Sequence, residues 1–218
     1  MDIREGGPPM TTDNNLTEEQ KQENANREEE AKQIILGVYQ RTMQTLQAEF
    51  ENYSVEGQII NNGNYGPLYA FQLTDQAGHI YSCGFFINEL LEKYRGGGDA
   101  GEWLSSFYVE LMRGGESRPL PQPPQSEDEA KQLFDGHIVP HCAGALREEF
   151  APEQVYVDLD IHEQAGPVLE AGFPSIKEGN NVCAMPFHFL LTLYLLNRDP
   201  ADPLVQGLYK IREEHGLE

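Results

Sequence analysis

The chain has 218 residues, a formal net charge of −21 at pH 7 and a pI near 4.5. This acidity argues against nucleic acid or an anionic membrane as a partner, because both would repel the protein. The hydrophobic fraction of 39% is large enough for a sizeable core. An odd cysteine count of 3 does not suggest a disulfide framework, and Asp2 and Glu5 lie where a signal peptide would be basic. A soluble cytoplasmic protein is therefore expected.

The N-terminal region divides into a tail and a helix. Residues 1–16 are polar and are predicted to be disordered. Thr17 and Gln20 have the spacing of a capping box, which predicts a helix over 17–52. The first half of this helix is polar, and its apolar stripe begins only at Ala31. The second half is therefore expected to pack on a core while the first half projects.

A β region follows this helix. Strand-like segments at 53–60, 68–74 and 79–86 are separated by residues that favour turns, which predicts an antiparallel meander. Two amphipathic helices are then predicted at 87–95 and 101–113.

The second half of the chain contains the most regular strand pattern, at 154–161, after helices that end near Phe150. The alternation predicts one apolar face, with Leu159 and Ile161, and one polar face. An irregular glycine-rich stretch leads to the run 185–197, which is apolar nearly all round and is therefore predicted to be a central buried helix. At about 14 residues this helix is too short to cross a bilayer. A last helix is predicted from about 203 to 214.

Together these elements predict an α+β fold. The sheet is expected to be mostly antiparallel, with the meander 53–86 joined by the strand 154–161, and to be covered by helices that include 185–197. The predicted organisation is a disordered tail at 1–16, an N-terminal helix at 17–52 and a single globular α+β domain at 53–218. No repeated sequence segment is apparent.

The strand at 154–161 carries the first candidate site. Asp158, Asp160 and His162 alternate and share one face, with successive members roughly 6.5–7 Å apart. This spacing suits two carboxylates that flank a water or a metal, with the histidine as a proton carrier, so the three are candidate catalytic residues. The alternative is that they solvate the outer face of a half-buried strand.

A second candidate site lies upstream, where His137 and His141 are four residues apart. On a helix this spacing points both side chains in one direction, so they are candidate ligands of a divalent metal such as zinc. Pro140 disturbs the helical spacing, and two surface histidines are the alternative.

The chain shows no P-loop, nucleophile elbow or dinucleotide-binding fingerprint. The leading hypothesis is a non-catalytic binding protein without a cofactor, whose partner is a protein with a basic surface. One alternative is a metal-dependent hydrolase or lyase, in which the two histidines and the Asp158 strand converge on one ion. The other is a small-ligand binder with a pocket between the sheet and the central helix. Its expected lining is Tyr69, Phe71, Tyr81 and Tyr194.

Overall fold

The computed structural model describes residues 17–63, 65–177, 179 and 181–216. The tail predicted at 1–16 lies outside the described residues. The α+β class is confirmed, because helices pack on two antiparallel sheets of three strands each. Each sheet belongs to a unit with its own apolar core, and we call these units repeat 1 and repeat 2.

Repeat 1 consists of α1 (Glu18–Glu49), β1 (Ser54–Asn62), β2 (Gly66–Thr74), β3 (Ile80–Phe86), α2 (Ile87–Arg95) and α3 (Ala100–Met112). The strands form a meander in the order β1-β2-β3, as the turn residues predict. Helix α1 begins with the predicted capping box of Thr17 and Gln20. Described side chains from Gln20 to Ile34 are exposed, whereas Val38 and Leu46 are buried in the core of this repeat.

Repeat 2 consists of α4 (Glu127–Leu133), the π-helical turn Phe134–Ile138, α5 (Val139–Glu149), β4 (Tyr156–His162), β5 (Gly166–Gly172), β6 (Val182–Pro186), α6 (Phe187–Leu195) and α7 (Asp202–Glu214). The expectation that strand 154–161 joins the meander is wrong, because β4 pairs with β5 in a second sheet. Strands β5 and β6 replace the irregular stretch that was expected there. The apolar helix begins at Phe187 rather than at 185, since β6 continues to Pro186.

The two repeats share one order of elements, so the expectation that the chain has no internal repeat is wrong. Adding 100 to the residue numbers of α2 (Ile87–Arg95) gives those of α6 (Phe187–Leu195), and the strands obey the same offset within two residues. Identical residues occupy many paired positions: Leu46 and Leu146, Glu49 and Glu149, Phe50 and Phe150, Val55 and Val155, Gly66 and Gly166, Pro67 and Pro167, Cys83 and Cys183, Leu90 and Leu190, Leu91 and Leu191, Tyr94 and Tyr194, Asp99 and Asp199, Leu104 and Leu204. The chain is therefore built as a structural duplication.

Two of these identities have a clear structural reason. Gly66 and Gly166 both have positive φ, 71° and 70°, at the turn that enters the middle strand of each sheet. The Asp99 side chain accepts hydrogen bonds from the N–H groups at the start of α3, and Asp199 accepts one from Ala201 N–H just before α7. The same turn is thus specified twice, and each aspartate accepts the N–H two residues further on, although α3 begins at Ala100 and α7 at Asp202.

The repeats meet at a joint formed by residues 196–198 and strand β3. Gly84 N–H donates to the Leu196 carbonyl at 2.8 Å, and the Asn197 side chain donates to the Ser82 carbonyl at 2.8 Å. Arg198 is 10% exposed and donates to both carboxylate oxygens of Glu89, each at 3.1 Å. The joint therefore combines backbone pairing, close packing and a largely buried ion pair.

Among the described residues, none of the helices has both the length and the apolar character that crossing a bilayer demands.

Candidate functional site

The polar face of the second sheet brings together part of the predicted Asp–His set. His162 Nε2 lies 3.1 Å from Glu170 Oε1 and 4.0 Å from Asp160 Oδ2. The ligand atoms of these three residues all lie within 4.8 Å of one another, which is close enough to hold a metal ion. Asp158 is on the same strand and opposite Glu170 in the register, but it does not belong to this cluster.

The two aspartates also bond to the backbone of their own strand. Asp158 Oδ1 accepts a hydrogen bond from Leu159 N–H, and Asp160 Oδ1 accepts one from Ile161 N–H, both at 2.8 Å. These carboxylates therefore cap two backbone donors of β4. Partial burial, and then the nearby carboxylates of Glu170 and Asp158, raise the pKa of Tyr156 on the same strand. This face of the sheet is thus a negatively charged surface.

The two predicted metal ligands lie elsewhere, in a cleft of about 530 Å³ between the repeats. His141 Nε2 is 2.7 Å from Asp199 Oδ1, and His137 lines the same cleft. In the part of the chain that the structure describes, neither histidine belongs to a group of three potential metal ligands that includes a residue of the Asp158 strand. The arrangement that the hydrolase hypothesis requires, with both histidines and that strand on one ion, is not formed.

A groove runs along β4 on the other side of the second sheet. We call it the β4 groove, and its volume is about 730 Å³. Its walls are the strand and the helical segment that ends in the π-turn. Its lining residues are Glu127, Ala130, Lys131, Phe134, Asp135, Leu159, Asp160, Ile161, Pro167 and Phe187.

Two apolar side chains of β4 are open to solvent in this groove. Leu159 is 51% exposed and Ile161 is 79% exposed, although the strand pattern predicts an apolar face turned toward the core. Val155, which immediately precedes β4 and lies on the same face, is only 9% exposed. The helices therefore cover only the beginning of β4, and the rest of its apolar face remains uncovered. Large exposed apolar side chains of this kind are typical of binding surfaces when they are contiguous.

The groove has a partial counterpart in repeat 1. Ile59 on β1, which corresponds to Leu159, is 40% exposed. The positions that correspond to Asp158 and Asp160 are Gln58 and Ile60, so that edge has no paired carboxylates. Repeat 2 alone combines the exposed apolar pair with the acidic face.

The structure does not assemble the expected aromatic ligand pocket. Tyr69, Phe71 and Tyr81 are buried in the core of repeat 1, whereas Tyr194 packs on the core of repeat 2 and lines the cleft between the repeats. Nucleophilic chemistry at Cys83 is not favoured, because burial raises the pKa of its thiol to about 12. A thiol must ionise to act as a nucleophile.

Glu170 and the β4 groove are the features that sequence reasoning missed. Glu170 lies on β5, which the sequence does not predict because its residues do not alternate between apolar and polar. Comparison of the chain with protein-family models, with curated proteins and with solved structures finds no match.

Proposed function

We propose that this chain is a non-catalytic binding protein that holds a segment of a basic partner protein in the β4 groove. The observation that supports the proposal is the exposed pair Leu159 and Ile161 inside a groove bordered by carboxylates. Burying two such side chains provides a driving force of roughly 1.5–3 kcal/mol for each one that is fully covered.

Charge specifies the partner. Glu127 and Asp135 line the groove, and Lys131 beside them is paired with Asp135. Asp160 borders the groove, while its carboxylate belongs to the polar face of β4. An acidic partner segment would be repelled, both here and by the net charge of −21. A segment with apolar side chains and lysine or arginine residues complements this surface in both respects.

The test uses a fluorescein-labelled peptide, Lys-Val-Lys-Val-Lys-Val-Lys, and a matched peptide in which glutamate replaces every lysine. Fluorescence anisotropy should show saturable binding of the lysine peptide and none of the glutamate peptide. The double variant Leu159→Ser, Ile161→Ser should weaken binding about tenfold or more, since it removes the apolar contacts. Val109→Ser is the control, because Val109 is 57% exposed on α3, in the other repeat. Equal losses from both changes would overturn the proposal.

A metal-dependent hydrolase or lyase is the second candidate function, and the cluster of Asp160, His162 and Glu170 favours it. One imidazole and two carboxylates form a ligand set that suits zinc. Zinc titration by calorimetry should then give one site that His162→Ala abolishes. The double variant His137→Ala, His141→Ala is the matched control and should bind zinc as the wild type does. If only the His137→Ala, His141→Ala variant loses zinc binding, the zinc site lies in the cleft between the repeats.

A further inference from the structure

We infer that the segment bound in the β4 groove pairs with β4 as a fourth strand of the second sheet. In this arrangement Asp158 and Asp160 release the backbone N–H groups with which a basic segment pairs. This inference rests on the proposed function. Strand β4 is the outer strand of its sheet, and among the described residues it forms a ladder with β5 alone. An outer strand offers unpaired backbone donors and acceptors, which an extended segment can use.

The hydrogen bonds of β4 identify the donors on its outer edge. In an antiparallel pair, alternate residues direct their N–H groups away from the neighbouring strand. Leu159 and Ile161 are two residues apart, and each N–H donates to the carboxylate of the preceding aspartate. These two donors are therefore outside the ladder with β5 and lie on the open edge.

The aspartates close this edge in a reversible way. A carboxylate that accepts the N–H at its own edge removes a donor that a passing strand could use, which protects the edge from non-specific pairing. A lysine or arginine brought alongside forms a charge-assisted contact with the same carboxylate. The carboxylate then turns toward the cation, and the N–H becomes available to a carbonyl of the incoming segment. Only a basic segment therefore gains a charge-assisted contact in place of the hydrogen bond between the carboxylate and the backbone N–H.

The two faces of β4 also define the sequence pattern of the segment. Side chains of an added strand alternate between the faces of the sheet, as those of β4 do. On one face they meet Leu159, Ile161 and the aromatic rings of Phe134 and Phe187 in the β4 groove. On the other face they meet Asp158, Asp160 and Glu170. The complementary segment is therefore extended and alternates apolar with basic residues.

Repeat 1 should not bind such a segment in the same way. Its outer strand β1 has Gln58 and Ile60 where β4 has the two aspartates, so neither of these positions offers a carboxylate that could release a backbone N–H to bind a cation. One strand is therefore expected to bind per chain.

The experiment tests backbone pairing with two N-methylated forms of the Lys-Val-Lys-Val-Lys-Val-Lys peptide, one methylated at every valine nitrogen and the other at every lysine nitrogen except the first. Donors alternate along a strand, so one form blocks the donors that face β4 and the other blocks donors that face solvent. Strand addition predicts that one form binds at least about tenfold more weakly and that the other stays within about threefold of the unmodified peptide. Equal affinities of the two forms would overturn strand addition. The groove proposal would survive that result, because it requires only that the unmodified peptide binds through Leu159 and Ile161.

The double variant Asp158→Asn, Asp160→Asn tests the role of the carboxylates. Asparagine can still accept the backbone N–H but does not attract lysine, so the affinity for the unmodified peptide should fall about tenfold in low salt. The matched variant Gln58→Ala, Ile60→Ala in repeat 1 should leave the affinity unchanged. An unchanged affinity in the asparagine variant would show that the aspartates do not admit the strand.

Discussion

Gly84 on β3 provides a direct test of the joint between the repeats. A Cβ added at this position would lie 2.9 Å from both Cβ and Cγ of Leu196, closer than side-chain carbons pack. Leu196 is 3% exposed and its backbone carbonyl is held by Gly84 N–H, so it has little room to move. Gly84→Ala should therefore lower the free energy of unfolding by about 1–3 kcal/mol, which is the usual cost of overpacking.

Gly144 is the matched control, because a Cβ added there meets nothing within 4 Å. It lies inside helix α5, where alanine is favoured over glycine by about 1 kcal/mol. Gly144→Ala should therefore raise the free energy of unfolding, so the same chemical change is expected to have opposite signs at the two sites.

Urea unfolding followed by circular dichroism and by fluorescence measures both variants. The single tryptophan, Trp103, lies in repeat 1 and reports that repeat, whereas circular dichroism reports both. In the double variant Gly84→Ala, Leu196→Ala, the loss should be smaller than the sum of the single losses by about 0.5–3 kcal/mol, since the two side chains compete for one space. A Gly84→Ala variant as stable as the wild type would refute the packing described for the joint.

Two further predictions concern buried polar groups. Arg198→Ala should destabilise the protein by roughly 2–4 kcal/mol in thermal unfolding. The reason is that Glu89 would lose a nearly buried bidentate partner while keeping partial access to water. A loss below about 0.5 kcal/mol would contradict the importance of this ion pair. Iodoacetamide at pH 8 should modify only Cys183 in the native protein, because Cys83 and Cys142 are fully buried and burial raises the pKa of each thiol to about 12. Peptide mass spectrometry measures the labelling, and rapid modification of Cys83 would contradict the packing of the first core.

The parts of the fold that were predicted correctly are those with strong local signals. The capping box at Thr17 and the turn residues between the first three strands identify α1 and the meander. Strand β5 was missed because most of its residues are buried, so its sequence does not alternate as a half-exposed strand does. Strand β6 has only 5 residues and runs directly into α6.

The duplication is hidden for a physical reason. The first helix of repeat 1 is continuous over 32 residues, whereas its counterpart contains the π-turn Phe134–Ile138, with Pro140 in the first turn of the helix that follows. The residues that the repeats share are core, turn and cap positions, alone or in pairs, and differing residues separate them, so only the constant offset of 100 relates the two halves.

The candidate site was predictable only in part. Alternation along β4 correctly places Asp158, Asp160 and His162 on one face, because side chains on a strand have a period of two. The same pattern cannot show how far the helices extend over the opposite face, so Leu159 and Ile161 were expected to be buried. Their exposure depends on the tertiary position of α4 and the π-turn.

Site-specific photocross-linking tests the proposed binding site most directly. The photoreactive residue p-benzoylphenylalanine would replace Ile161 in one variant and Val109 in the other, two exposed apolar positions in different repeats. With the Lys-Val-Lys-Val-Lys-Val-Lys peptide present, the Ile161 variant should form a cross-linked product and the Val109 variant should not. Unlabelled peptide should compete the product away. Equal cross-linking from both positions, or none from position 161, would contradict binding in the β4 groove.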